Sequence, residues 1–360
     1  MGTRITKHQK LSDVSLNMSS IDRISALQDD LLCHILSFLP TKDSVATSVL
    51  STRWRHLWAH VPNVDFDSEH HTKGRLTNFC DIIYRVMLMY KVHNINNFRL
   101  SYKDACSKYK LETCIATAIL RNVKNLYLDL GNQLVKLPLR IFTNNKTLVE
   151  LKLHNCGFIP SSSSINLYLP ALKILNLASV KYESTKSLEH LIAGCPVLEE
   201  LFIVRTAVDP MVCCNISSAT LNKLVLITNF TNNGAFTLTY KMRIETPALR
   251  YLELHDTVTK DLSFGPLTFL VTANVQFHNY KSSEGDALYS SSVVQFFRRL
   301  YNVKSLILCI SLSEVPDNSA LSASVARFPN LTSLSFSGDW RFISVFLIVV
   351  VNLEALTIHT

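Results

Sequence analysis

Apolar residues between positions 21 and 67 recur at helical spacing, in three short segments. In the first segment, which begins at Asp29, the leucines and isoleucines as far as Leu39 fall on one helical face. Pro40 ends this helix, because proline has no N–H for the helical hydrogen bonds and disfavours helical backbone at the residue before it. The pattern therefore predicts a short helix with one apolar side, followed by a break.

Two further short helices follow this break. Thr41 is suited to cap the second, which carries Val45 and Val49, and the third carries Trp54 and Trp58. A unit of fewer than about 60 residues is only marginally stable alone, because it buries a small share of its surface. We therefore expect the tryptophans to join this unit to the next domain and the remaining apolar surface to contact a partner.

From residue 95 onwards the chain repeats the pattern apolar-x-x-apolar-x-apolar. Ten copies begin at Ile95, Val123, Leu148, Leu172, Leu198, Leu221, Leu249, Val303, Leu331 and Leu353. A weaker copy, Leu270 to Phe277, divides the one interval of double length, so the mean period is about 26 residues. This period is typical of leucine-rich repeats, in which each unit supplies a β-strand and a return segment. The pattern predicts an irregular solenoid of ten to eleven repeats.

Helical stripes between the predicted strands indicate the outer, convex side of the solenoid. These stripes run from Leu111 to Leu120, from Ser187 to Ala193 and from Val293 to Leu300. Another amphipathic helix, from Leu76 to Tyr90, precedes the first repeat. We therefore divide the chain into a flexible N-terminus (1–20), a small all-helical domain (21–67), a linker helix (68–92) and the solenoid (93–360). The expected fold class is α+β, with α/β repeats.

The concave side of such a solenoid carries the residues that flank the leucines of each strand, because strand side chains alternate. Most of these residues are polar, but four in adjacent repeats are apolar, namely Phe202, Val204, Val225 and Ile227. We expect them to form an exposed apolar patch that binds a substrate protein, with Tyr251 and His255 beside it. The alternative is that the segment 228–243 folds over the patch and covers it.

The composition, with 48% hydrophobic and 18% charged residues among 360, is typical of a folded protein. The net charge of +8 is spread along the chain without a concentrated basic stripe, so nucleic acid is not an expected partner. The apolar run Ile343 to Val351 is much shorter than the roughly 20 residues that cross a bilayer, so a membrane is not expected either.

The nine cysteines are odd in number and show no Cys-x-x-Cys spacing, and the N-terminus lacks the apolar core of a signal peptide. We therefore expect reduced thiols in an intracellular protein of the nucleus or cytoplasm. The adjacent pairs His70–His71 and Cys213–Cys214 lack metal-ligand spacing, and no motif of a catalytic site is present. No metal, cofactor or enzymatic activity is predicted.

The segment from Asp22 to Trp58 resembles an F-box, in the form found in plants. The stretches DRISALQDDLL, HILSFLPTKD and SVLSTRWRHLW carry this resemblance. Gln28 is a departure, since the family usually has Leu-Pro-Asp-Asp where this chain has Leu-Gln-Asp-Asp. The resemblance implies binding to the Skp adaptor of a cullin–RING ubiquitin ligase. The residues implied for that contact are Leu27, Asp29, Ile35, Leu36, Leu39, Pro40, Val45 and Val49.

The whole arrangement is similar to the plant family that combines an F-box, leucine-rich repeats and a C-terminal FBD segment. The phrases CPVLEEL and SFSGDW are further marks of that family, whereas the FBD segment itself is expected to be absent. The resemblance implies a non-catalytic substrate-recognition adaptor of an SCF-type (Skp–cullin–F-box) ubiquitin ligase, whose repeats bind the protein to be ubiquitinated. The alternatives are a repeat scaffold that acts without a ligase and a truncated, inactive family member.

Overall fold

The structure is a computed structural model. It describes residues 23–70, 79–102, 107–131, 137–143, 145–161, 165–206, 213–229, 240–256, 259–278, 295–311, 328–338, 343, 347–348 and 350–359. The predicted flexible N-terminus, residues 1–20, lies outside the described residues.

The helical domain begins with two α-helices, α1 (Asp29–Leu36) and α2 (Thr41–Ala46). Pro40 directly precedes α2, where its missing N–H costs no helical hydrogen bond. Two 3₁₀ helices follow, Thr47–Val49 and Trp54–His60, so the predicted third helix is wound more tightly than an α-helix. No side chain caps α2, and the predicted capping role of Thr41 is therefore wrong.

Twelve strands form one parallel sheet that runs along the described part of the chain. In spatial order they are β1 (Asn63–Asp67), β2 (Asn97–Ser101), β3 (Asn125–Asp129), β4 (Glu150–His154), β6 (Ile174–Ala178), β8 (Glu200–Thr206), β10 (Lys223–Asn229), β12 (Tyr251–Asp256), β14 (Thr272–His278), β15 (Ser305–Ser311), β16 (Ser333–Gly338) and β17 (Ala355–His359). Neighbouring repeats are in register, so that Leu151 pairs with Leu126 on one side and Leu175 on the other. The predicted fold class, a helical domain followed by an irregular repeat solenoid, is confirmed.

The sheet begins earlier than the predicted boundary at residue 93. Its first strand, β1, belongs to the segment assigned to the helical domain and pairs in parallel with β2. Val61, Val64 and Phe66 are buried, and they repeat the apolar-x-x-apolar-x-apolar spacing of the solenoid. The helical domain therefore supplies the first repeat strand.

The outer side of the sheet is covered by helices in some repeats and by short strands in others. Near the N-terminal end it carries α3 (Phe79–Met89) and α4 (Lys108–Leu120), and further on α5 (Ser187–Ala193), which match predicted helical stripes. Strands lie between the central repeats instead. These are β9 (Cys213–Ser217), β11 (Tyr240–Glu245) and β13 (Thr259–Phe264) in one sheet, and β5 (Phe158–Ile159) and β7 (Lys181–Tyr182) in another. Of the last predicted stripe, residues 295–300 are helical, as a short α-helical turn and the 3₁₀ helix Arg298–Leu300.

Two apolar clusters hold these layers together. The larger one fills the solenoid and includes nearly all the repeat leucines that the structure describes. The smaller one lies in the helical domain and consists of Leu32, Leu36, Trp54, Leu57 and Val61. Trp58 belongs to the larger cluster and joins the two domains as predicted, whereas Trp54 packs in the smaller cluster alone.

Gly194, which follows α5, lies close to the backbone of the segment that precedes β6. A Cβ atom at this position would lie 2.3 Å from the carbonyl oxygen of Leu167. We expect Gly194→Ala to lower the free energy of unfolding by about 1–3 kcal/mol, because the backbone must move to relieve the contact. Urea unfolding measures the change. Gly265→Ala is the matched control, since its nearest neighbour would be 3.6 Å away, and equal effects of the two substitutions would contradict the argument.

Candidate functional site

The helical domain exposes a set of large apolar side chains from α1, from the segments before and after it, and from the end of the 3₁₀ helix after α2. They are Ile24, Leu31, Ile35, Phe38, Leu39, Val49 and Leu50, and together we call them the helical apolar surface. Val49 is 88% exposed, although valine is usually buried. Exposed apolar residues concentrated in one small domain indicate a protein-interaction site.

Five of the predicted adaptor-contact residues are accessible in this region. Ile35, Leu39 and Val49 belong to the helical apolar surface, and Asp29 and Pro40 are exposed close to them in sequence. Their accessibility is consistent with direct contact to a partner.

The other three predicted contact residues are occupied by internal packing. Leu36 is only 1% exposed and lies in the small core, with the half-buried Leu27 packed against that same cluster. Val45 packs against the core of the solenoid. We therefore remove these three from the direct contact set. Leu31, Phe38 and Leu50 are exposed instead, and continuing the helical spacing of Ile35 in both directions would have found the first two.

Arg53 fixes the segment that leads into α1. Its Nε donates to Asp29 Oδ1 at 2.8 Å, one terminal nitrogen donates to the carbonyl oxygen of Ser25 at 2.6 Å, and the other donates to that of Leu27. Gln28 has an extended backbone, and its side chain does not cap the helix. The guanidinium thus holds the start of α1 at the point where the chain lacks the proline of related sequences.

Hydrogen bonds join the helical domain to β1. The backbone N–H of Asp65 donates to Thr41 Oγ1 at 2.8 Å, and Tyr90 Oη, from the end of the linker helix, donates to the carbonyl oxygen of Asn63 at 3.0 Å. Burial raises the pKa of Tyr90, so its hydroxyl stays protonated at neutral pH and remains a donor.

A chain of asparagine amides continues this junction into the solenoid. Asn125 Nδ2 donates to Asn97 Oδ1 at 2.7 Å, and Asn97 Nδ2 donates to Asn63 Oδ1 at 2.8 Å. Asn63 Nδ2 in turn donates to the carbonyl oxygen of Ser37 at 3.0 Å, directly after α1. Three consecutive hydrogen bonds therefore link the third strand of the sheet to the end of the first helix.

The predicted apolar patch on the concave side is largely covered. Val225 is 7% exposed, and Phe202, Val204 and Ile227 are half-buried. The Lys223 side chain lies over the Phe202 ring, so this surface is less open than expected, and its role in binding a substrate protein stays a prediction. The covering segment proposed as the alternative, 228–243, lies for the most part outside the described residues.

Lys223 is the side chain that lies over the aromatic part of this region. Its Nζ is 4.8 Å from the ring centroid of Phe202 on β8 and 5.6 Å from that of Tyr251 on β12. Glu200 Oε2 is 3.5 Å from the same nitrogen. Three adjacent strands therefore surround one ammonium group with two rings and a carboxylate.

A second carboxylate lies beside this group. Glu253 Oε2 accepts a hydrogen bond from Tyr251 Oη at 3.0 Å, and its Oε1 is 3.3 Å from His255 Nε2. Burial, assisted by Glu253, raises the pKa of Tyr251, which keeps the phenol protonated. We call Glu200, Phe202, Lys223, Tyr251 and Glu253 the central cluster.

A hollow of about 530 Å³ lies nearer the helical domain, on the concave side of β2 to β6. Its walls include Arg99, Tyr127, Lys152, His154 and Asn176. These side chains come from neighbouring strands in register, so they were not adjacent in the sequence. The repeat period alone could have predicted that these residues lie side by side. They were not identified as a site because they are polar residues of mixed type, whereas the predicted binding site was an apolar patch.

Mutual contacts hold the side chains of the hollow in place. The Arg99 guanidinium forms ion pairs with Asp65 at 2.8 Å and Asp67 at 2.7 Å, and these carboxylates raise its pKa. It also lies 5.5 Å from the ring centroid of Tyr127, which meets the His154 ring edge-on at 5.0 Å. Burial lowers the pKa of His154, so its ring is neutral at pH 7. The side chains that line the hollow are therefore held in place by one another.

The described residues offer little for catalysis or metal binding. They contain no group of three or more His, Cys, Asp or Glu side chains that could hold a metal ion. Burial raises the pKa of both Cys114 and Cys195 to about 12, so neither is a thiolate nucleophile at neutral pH. Seven described cysteines are free, but Cys80 is disulfide-bonded, which corrects the expectation of reduced thiols at that position.

No helix in the described ranges is long and apolar enough to cross a membrane.

Known proteins resemble both parts of this chain. A family model of the F-box domain matches residues 24–65, and a model described as the LRR repeats of FBD-associated F-box protein At5g56370 matches residues 111–261. F-box/FBD/LRR-repeat protein At4g26340 of Arabidopsis thaliana is 33% identical over 329 residues, which cover 90% of this chain and 74% of that protein. The chain belongs to the plant F-box/LRR-repeat family.

Other members of the plant F-box/LRR-repeat family align over similar lengths. F-box/LRR-repeat protein At4g14103 of Arabidopsis thaliana is 31% identical over 357 residues, covering 94% of this chain and 91% of that protein. F-box/LRR-repeat protein At3g59210 of the same plant is 34% identical over 300 residues, covering 81% and 61%. The predicted family is therefore confirmed, and the F-box match spans the helical apolar surface and reaches into β1.

The bond between Thr41 and Asp65 provides a test of the F-box–solenoid junction. Thr41→Val keeps the side-chain shape but leaves the Asp65 N–H without its acceptor, so we expect the free energy of unfolding to fall by about 1–3 kcal/mol. Thr113→Val on α4 is the control, because its hydroxyl bonds only within its own helix, to the Tyr109 carbonyl. Urea unfolding followed by circular dichroism measures both, and an unchanged midpoint for Thr41→Val would contradict the importance of this bond.

Proposed function

We propose that this protein is a substrate-recognition adaptor of an SCF-type ubiquitin ligase. Its F-box would bind the Skp adaptor, and through it the cullin–RING ligase, while its repeats would bind the protein to be ubiquitinated. The chemistry of ubiquitin transfer would then belong to other subunits, in the nucleus or cytoplasm. The observation that carries this proposal is the helical apolar surface, which lies within the matched F-box.

The burial pattern of the F-box supports a docking role. Leu32 and Leu36 point into the small core, whereas Leu31 and Ile35 of the same helix are exposed. One helix thus uses one set of apolar residues for folding and presents another set to its surroundings. Burying a side chain such as isoleucine stabilises a complex by about 1.5–3 kcal/mol, so several such residues are enough for stable binding.

The helical apolar surface keeps its support although position 28 is glutamine rather than proline. Helix α1 still begins at Asp29, and Arg53 holds both the Asp29 carboxylate and the backbone that precedes it. An inactive F-box caused by Gln28 is therefore not favoured. A repeat scaffold that acts without a ligase becomes the conclusion if the chain fails to bind the Skp adaptor.

Paired aspartate substitutions test the helical apolar surface. We expect Ile35→Asp/Val49→Asp to raise the dissociation constant for a purified plant Skp adaptor at least about ten-fold, because two apolar contacts are lost and two charges are desolvated. The measurement is isothermal titration calorimetry with the full chain. Both positions are exposed, at 44% and 88%, so the chain should fold normally.

The matched control carries the same changes at the other end of the chain. Ile348 and Val351 are 80% and 75% exposed, and Ile348→Asp/Val351→Asp should bind the adaptor as tightly as the unmodified chain. If the unmodified chain does not bind the Skp adaptor, the ligase proposal fails. If it binds and the F-box variant binds equally well, the adaptor contact lies elsewhere.

A further inference from the structure

We propose that the central cluster is a receptor for a basic side chain, lysine or arginine, of the client protein, and that Lys223 fills this receptor in the free chain. The inference rests on the proposed function, because it names the chemistry of the partner that the repeats would hold. It concerns one point on the concave surface, where β8, β10 and β12 lie side by side.

The arrangement around Lys223 is that of a cation-binding site. Aromatic rings attract a cation that lies over their faces within about 6 Å of the centroid. Phe202 and Tyr251 both meet this distance, and they approach the same ammonium group from the two strands that flank its own. A cation is therefore the ligand to which this surface is complementary.

The charges of the cluster favour an incoming cation over an anion. The cluster holds two carboxylates and one ammonium group: Glu200 lies 3.5 Å from Lys223, and Glu253 lies beside Tyr251 and 3.3 Å from His255. Glu253 also accepts a hydrogen bond from the Tyr251 hydroxyl, which fixes the ring beside Lys223. This excess of negative charge is local, since the whole chain carries a net charge of +8.

Lys223 is held loosely enough to be displaced. Its ion pair with Glu200 measures 3.5 Å, whereas Lys173 and Glu199, which directly precede β6 and β8, are 2.7 Å apart. Its side chain is also partly exposed, and a lysine chain has several rotatable bonds with which to move aside. The half-exposed lysine thus occupies the position that a client side chain would take.

The rigid surroundings of the cluster suit recognition. Val225, buried between Phe202 and Glu253 in the register of the three strands, forms the floor. All of the members lie on regular strands rather than loops, so their positions are set by the sheet. A site built on a rigid sheet loses little conformational entropy when it binds.

A displayed library of random twelve-residue peptides, selected on the immobilised full chain, tests this proposal. We expect the selected peptides to carry a lysine or arginine at a fixed position, and its replacement by norleucine should weaken binding at least about five-fold. Glu200→Gln/Glu253→Gln should lose this binding. Lys223→Met, which removes the internal competitor, should strengthen it by about three-fold to ten-fold.

The control is Glu199→Gln/Glu245→Gln, which also removes two carboxylates but outside the cluster, because Glu199 precedes β8 and Glu245 ends β11 of the outer sheet; this variant should bind like the unmodified chain. Acidic peptides, peptides without a basic residue, or no selected peptides would each overturn the proposal. So would basic peptides that bind the Glu200→Gln/Glu253→Gln variant equally well. Binding of the Skp adaptor, measured on the same preparations, reports on the F-box alone, so the two proposals can fail separately.

Discussion

The rest of the structure depends on the parallel pairing of β1 with β2. Five residues that close the F-box, from Asn63 to Asp67, are at the same time the first strand of the twelve-stranded sheet. The F-box is therefore not attached to the repeats by a flexible link but is hydrogen-bonded to them along a strand. It also covers the first edge of the sheet, where an open strand would otherwise invite association with other chains.

Side chains from both domains reinforce this shared strand. Thr41 accepts a hydrogen bond from the backbone of β1, and Tyr90 donates one to that backbone. Trp58 is buried in the core of the solenoid. The small F-box core alone holds few residues, which is marginal for an independent domain. Its exposed apolar residues can remain outside because the solenoid, rather than the F-box core, supplies much of the stability.

The solenoid and its strands could be predicted from the sequence because each repeat buries leucines at a fixed spacing. Leu151, Leu175 and Leu201 are all fully buried in neighbouring strands, and no local preference competes with that pattern. The strand that contains Val64 has the same spacing, but it follows the F-box helices directly and was therefore assigned to the helical domain. The outer strands around Met242 carried no comparable signal, because the convex layer tolerates any segment that covers the core.

The concave surface was harder to predict for a different reason. The sequence identifies which residues face the concave side, such as Phe202 and Val225, but their exposure depends on long side chains from adjacent strands. Lys223 covers Phe202 across a strand boundary, and Arg99 is bound by two aspartates more than thirty residues away. In the F-box, likewise, helical spacing identified the apolar residues but did not separate the buried Leu36 from the exposed Ile35.

The asparagine chain from Asn125 through Asn97 to Ser37 has a mechanical consequence. Each repeat of a solenoid contacts only its neighbours, so small rotations between repeats add up with distance from a fixed end. The amide chain clamps the first three strands to the F-box, and angular scatter therefore starts to accumulate only beyond them. A residue near β10 can therefore move through a wider arc relative to the F-box than a residue near β2.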